Sequence, residues 1–177
     1  MQRPFVLVGG FLAFLVILSA ASAAHTGNAV IEPHERVAGM LLVRGNANWD
    51  GTALFGVYCR PDIVKSGRYR RTCLPVPEVG RLFVGPGLWA PNYTILNRVW
   101  DAAGWRLWID DERVGLDKFG AADRMLYRYP PADGRDVILR EWSIALVRPT
   151  PGRHTIRYQV GDAGLMVDAT WEFTVAR

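Results

Sequence analysis

Three histidines, two cysteines and a few clustered carboxylates are the residues with which this 177-residue chain could do chemistry. His25 follows the small-residue run Ser19–Ala24. If a leader were removed after Ala24, the new terminal amine and the His25 imidazole could chelate Cu(II) in a planar site, with His34 or His154 as a third nitrogen. Cleavage after Ala23 would abolish that site. His154 stands on the apolar face of a strand, just after the Pro151-Gly152 turn, where a structural histidine bonded to the turn is expected. Cys59 and Cys73 suit a disulfide in an oxidising compartment, closing a loop that contributes about 3 kcal/mol by restricting the unfolded chain. The alternative is a pair of buried thiols.

The acidic clusters, Asp110-Asp111-Glu112 and Asp133 with Asp136, sit at turns, where carboxylates are solvated and serve turn geometry. Paired general acid and base would need two carboxylates across a cleft. No G-x-S-x-G elbow, phosphate-cradling glycine loop or EF-hand loop occurs. The expectation is therefore no cofactor and no catalysis. His25 at a mature terminus would resemble the histidine brace of copper-dependent polysaccharide oxygenases and periplasmic copper carriers; this alternative implies a metal site at His25 and His34.

Binding is better supported than catalysis. Trp49, Trp89, Tyr93 and Trp100 lie in or beside expected loops, where a flat ring beside polar groups can stack on a sugar or a partner protein. Trp108 projects outward if Trp105, Leu107 and Ile109 enter the core. Between the cysteines, Arg60, Lys65, Arg68, Arg70 and Arg71 face only Asp62, so a tethered basic loop could touch an anionic envelope polymer or lipid headgroups. Asn92-Tyr93-Thr94 has the N-glycosylation pattern.

The elements that must position these residues follow an N-terminal leader. Arg3, the apolar run Phe5–Leu18 and the small residues to Ala24 form a secretory signal, cleaved after Ala23 or Ala24; an uncleaved anchor would be the membrane contact of an accessory subunit. Residues 25–177 then form one domain, exported to the periplasm, cell surface or medium. The whole chain carries a formal net charge of +4, and Lys65 and Lys118 are its only lysines. Such a mild excess, on an exported chain, does not suggest nucleic acid.

Turn residues recur at short intervals, from Gly45-Asn46 to Gly161-Asp162-Ala163-Gly164, which suits many short strands and leaves little room for helix. Arg153–Val160 and Ala169–Val175 alternate apolar and polar residues and read as a hairpin. Val137–Val147, apolar on both sides, reads as a central strand. Gly104–Ile109 and Arg113–Leu116 read as a hairpin, Val37–Arg44 and Thr52–Arg60 as two further strands, and Asp117–Met125 as a helical turn.

Gly104-Trp105-Arg106-Leu107-Trp108-Ile109-Asp110-Asp111, Pro151-Gly152-Arg153-His154 and Thr170-Trp171-Glu172-Phe173-Thr174-Val175 resemble the strands of bacterial extracytoplasmic immunoglobulin-like modules. The resemblance covers residues 104–177 and departs at Asp111-Glu112, where those modules often place Asp-Gly. It implies an all-β, single, antiparallel immunoglobulin-like sandwich with Pro/Gly-rich loops, and says almost nothing about task. The chain is expected to be a non-catalytic module binding carbohydrate, an anionic envelope polymer or a protein.

Overall fold

The protein's structure, a computed structural model, describes residues 30–45, 52–59, 67–162 and 165–177. The leader, His25, Trp49, the turn at Asp50-Gly51 and the basic residues Arg60 and Lys65 lie outside these residues. In chain order the strands are β1 (Arg36–Val37), β2 (Met40–Arg44), β3 (Thr52–Ala53), β4 (Gly67–Thr72), β5 (Arg81–Phe83) and β6 (Gly87–Ala90). Helix α1 (Tyr93–Ala102) precedes the hairpin β7 (Arg106–Ile109) and β8 (Glu112–Val114). A helical turn, α2 (Leu116–Phe119), leads to β9 (Ala121–Tyr129), β10 (Arg135–Trp142) and β11 (Ile144–Val147). The long strands β12 (Gly152–Asp162) and β13 (Leu165–Val175) close the chain.

The fold is mostly β. Two five-stranded sheets, β1-β2-β11-β5-β3 and β4-β13-β12-β7-β8, contribute side chains to one apolar core. Leu42, Leu82, Ile144 and Leu146 come from the first; Leu107, Ile109, Ile156, Trp171 and Phe173 come from the second. The β12–β13 hairpin forms as its alternation requires, with His154, Ile156 and Tyr158 inward and Arg153, Thr155 and Arg157 on the other face.

Pairing is not wholly antiparallel. β4 runs parallel to β13, and β3 parallel to β5. Parallel neighbours need a long connection, and residues 73–164 supply one between β4 and β13. β4 also occupies part of the segment expected as a basic loop.

A third sheet, β6-β10-β9, extends from the first, because β5 continues into β6 and β10 into β11. The two segments bend together: Val84 N–H donates to Ile144 O and Trp142 N–H to Pro86 O. Gly85 makes this approach feasible, since a Cβ there would lie 1.6 Å from Trp142 O. Val137–Val147 is therefore two strands, each central in its own sheet.

Helix α1 covers one face of the third sheet, burying Leu96 against Ala90 and Ile138. It was not expected. Asn92, read as a turn residue within a glycosylation pattern, is its N-cap, accepting the Ile95 N–H at 3.0 Å. The expected strand Val37–Arg44 is instead a tight hairpin turning at Ala38 and Gly39, both at positive φ (47° and 81°). The expected strand Thr52–Arg60 gives way after Ala53 to an irregular turn, Leu54–Tyr58, in which Gly56 has φ 90°. The Cys59–Cys73 disulfide is formed, with a Cα–Cα distance of 4.5 Å, and fixes this turn to the end of β4.

Candidate ligand-binding cleft

The face of the third sheet turned away from α1 lines a cleft of about 720 Å³, to which Phe55, Gly56 and Tyr158 contribute from outside that sheet. Strand register explains what faces it. Trp89, Leu139 and Arg124 stand in one row across β6, β10 and β9, and Gly87, Glu141 and Ala122 stand in the next. Tyr127, Tyr129 and Pro130 extend the β9 side. A bulge in β9, where Tyr127 and Arg128 oppose Asp136, ends the regular ladder; Arg128 takes φ 48° and its N–H donates to Asp136.

The cleft is aromatic with one charged pair. Trp89 and Tyr129 meet edge to face at 5.7 Å. Phe55 packs edge-on against Tyr158 and Trp171, at 6.2 and 5.7 Å. Tyr127 is 75% exposed and Trp89 38% exposed, so both offer ring surface to solvent. Arg124 Nε donates to Glu141 Oε2 at 3.0 Å. Burial pushes the Glu141 carboxyl above its ordinary value, against the opposing pull of Arg124. Burial likewise raises the phenols of Tyr129 and, much further, Tyr158. Glu141 is the only carboxylate among the described residues that line the cleft.

The disulfide shapes this site. Leu74 N–H donates to Tyr58 O beside the Cys59–Cys73 bridge, so the turn carrying Phe55 and Gly56 is anchored to the end of β4.

Of the residues singled out by sequence, Trp89 lies in the cleft and Trp49 lies outside the described residues. Tyr93 opens α1, exposed but not among the cleft residues. Trp100 is half-buried in a cluster with Trp105 and Trp142, each 5.0 Å away. Trp108 does project outward, and its ring carries the Arg157 guanidinium at 5.0 Å. Arg68 pairs with Asp168 and Arg70 with Glu172. Arg71 stands opposite Trp171 in the ladder.

His154 is structural. Its Nδ1 lies 2.7 Å from Asp110 Oδ2 and its Nε2 lies 2.8 Å from Thr150 O, so neither nitrogen is free for a metal. His34 is exposed and His25 lies outside the described residues. Among the described residues there is no group of three side chains that could hold a metal ion. Nor is any helix among them long and apolar enough to cross a membrane.

Sequence reasoning missed Phe55, Arg124, Tyr127, Tyr129, Leu139, Glu141 and Tyr158. The one local signal was Tyr127-Arg128-Tyr129 before Pro130-Pro131, an aromatic pair beside a turn. Compared with known proteins, the chain matches no family model, and neither a curated protein nor a solved structure is significantly similar to it.

Proposed function

We propose that this chain is an exported, non-catalytic binding module of the bacterial cell envelope, built on an immunoglobulin-like sandwich, and that its cleft holds carbohydrate. The observation carrying this reading is the exposed aromatic wall of Trp89, Tyr127 and Tyr129 beside the Arg124–Glu141 pair. Flat rings stack on the apolar faces of sugars, while a fixed charged pair orders their hydroxyls by hydrogen bonds. A single carboxylate, already paired with arginine, favours binding over glycoside hydrolysis, which uses two. The disulfide supports export, since such bridges persist in oxidising compartments. Two five-stranded sheets around one core support the sandwich, with the third sheet and α1 as additions that create the cleft.

A glycan array tests this. The full chain should bind at least one uncharged glycan, and for that glycan Trp89→Ala, whose side chain is partly solvent-exposed, should lose about 10-fold or more in affinity with its folding intact. A wild-type protein that binds no uncharged glycan, or an equally active Trp89→Ala, would overturn it.

A further inference from the structure

The outer face of the β4-β13-β12-β7-β8 sheet carries an ordered array of guanidinium groups. Register places Arg68 beside Asp168, Gln159 and Arg106 in one row across the strands. Arg70, Thr170, Arg157, Trp108 and Arg113 form the next row. Arg153 follows further along β12.

Two carboxylates stand within this array, and each serves two arginines. Asp168 accepts from Arg157 twice, at 2.8 Å each, and from Arg68 at 3.1 Å. Glu172 accepts from Arg70 and Arg153. Arg106 and Arg113 take no part in these pairs and are exposed. Six guanidiniums thus share one sheet face with these two paired acids, and a third carboxylate, Asp111 in the β7–β8 turn, lies close enough to Arg157 to act on it. The acids hold the arginines in place without neutralising them: the side chains of Arg68, Arg70 and Arg153 remain 83%, 67% and 79% exposed.

We propose that this face binds a linear polysaccharide bearing carboxylates, a polyuronate, independently of the cleft. Guanidinium forks match carboxylates, as the two-bond contact of Arg157 with Asp168 illustrates within the face itself. The carboxylates between the arginines disfavour duplex DNA, which carries one charge per about 1.7 Å, and suit a polymer with sparser charge. Thr170 between the cations, and the side-chain carbonyl of Gln159, whose amide donates to Asp168, offer hydrogen bonds to sugar hydroxyls. Trp108 is the only large apolar side chain in these rows, and Arg157 covers one side of its ring, so these rows offer little with which to enter a bilayer.

Calorimetric titration with oligogalacturonate at about 50 and about 200 mM salt tests this, with dextran, anionic phosphatidylglycerol vesicles and duplex DNA as the other arms. Oligogalacturonate should bind, more weakly at the higher salt. The Arg106→Gln/Arg113→Gln protein, whose substitutions leave the four ion pairs intact, should bind about fivefold more weakly with unchanged Tm. Arg70→Gln/Arg153→Gln should weaken binding similarly. The Trp89→Ala protein should retain oligogalacturonate binding whatever it does on the array, so the two surfaces stand or fall separately. No oligogalacturonate binding, undiminished binding by Arg106→Gln/Arg113→Gln, or tighter binding to vesicles or DNA would overturn the proposal.

Discussion

The His154–Asp110 pair makes the stability of this protein depend on pH in a defined direction. A neutral imidazole has one N–H, yet both ring nitrogens of His154 face acceptors, the Asp110 carboxylate at 2.7 Å and the Thr150 carbonyl at 2.8 Å. The imidazolium satisfies both, whereas a neutral ring that keeps its Nδ1–H on Asp110 leaves Nε2 only the more distant Thr150 hydroxyl, at 3.4 Å, as a donor. The ring is 6% exposed, so water cannot take over the missing bond. The Asp110 hydrogen bond, then that of Thr150, lifts the His154 pKa above its ordinary 6.5, although burial opposes the shift. Burial would raise the Asp110 carboxyl, but hydrogen bonds from His154 and Thr155 outweigh it and hold its pKa below 3.8.

For a group with a raised folded pKa, the stabilisation is complete below the unfolded value and is lost as pH climbs through the folded one. Deprotonation leaves the Asp110 bond and removes the one to the Thr150 carbonyl, worth about 1 kcal/mol net, so the unfolding free energy should fall by about that much as pH rises from 6.5 through the raised value. For a domain of this size that is a drop in Tm of roughly 2–4 °C. Asp110 acts in the opposite sense, its contribution present above pH 3.8 and lost as pH falls through its lowered folded value. Urea unfolding from pH 5 to 9, on wild type and His154→Gln, reads the effect as the difference between the two curves. Curves that stay parallel above pH 6.5 would refute the reasoning.

Other consequences are as specific. Asp168, whose pKa the Arg157 hydrogen bonds pull down to about 2, stabilises the fold above pH 3.8 and loses that effect as pH falls through the folded value. Because Arg68 is largely exposed and Arg157 partly so, Asp168→Asn should cost about 1 kcal/mol at neutral pH, measurable by urea unfolding. Gly85→Ala, with its Cβ driven onto Trp142 O, should destabilise by about 3 kcal/mol or more, or prevent soluble expression, as thermal unfolding would reveal. Cys59→Ala/Cys73→Ala should lose about 3 kcal/mol in urea unfolding and weaken glycan binding by releasing the turn that bears Phe55.

The C-terminal hairpin was legible in the sequence because period-2 alternation reports directly which face is buried. The β7–β8 hairpin was legible too, although two aspartates, Asp110 and Asp111, take its left-handed turn positions at φ 47° and 64°. Asp110 holds that conformation by accepting the Thr155 N–H and the His154 proton, partners 45 and 44 residues away. Helix α1 was hidden because Pro91-Asn92 and Ala103-Gly104 at its ends look like loop punctuation, while its signature was the cap at Asn92 with Ile95, Leu96, Val99 and Trp100 at helical spacing. β9 was obscure because Asp123–Tyr129 does not alternate cleanly and bulges at its end. The cleft could not be read at all. Its residues come from segments around positions 55, 88, 127, 140 and 158, and only long-range pairing and the bend at Gly85 bring them together. Trp89 was singled out as an exposed ring, without the partners that give it a site.

The most direct measurement is a two-dimensional NMR titration with the best uncharged glycan from the array, following indole and backbone N–H resonances. The indole of Trp89 and the amides of Tyr127 and Leu139 should move on binding, while the indoles of Trp105, Trp142 and Trp108 stay in place. Binding that shifts Trp108 and leaves Trp89 still would contradict the account.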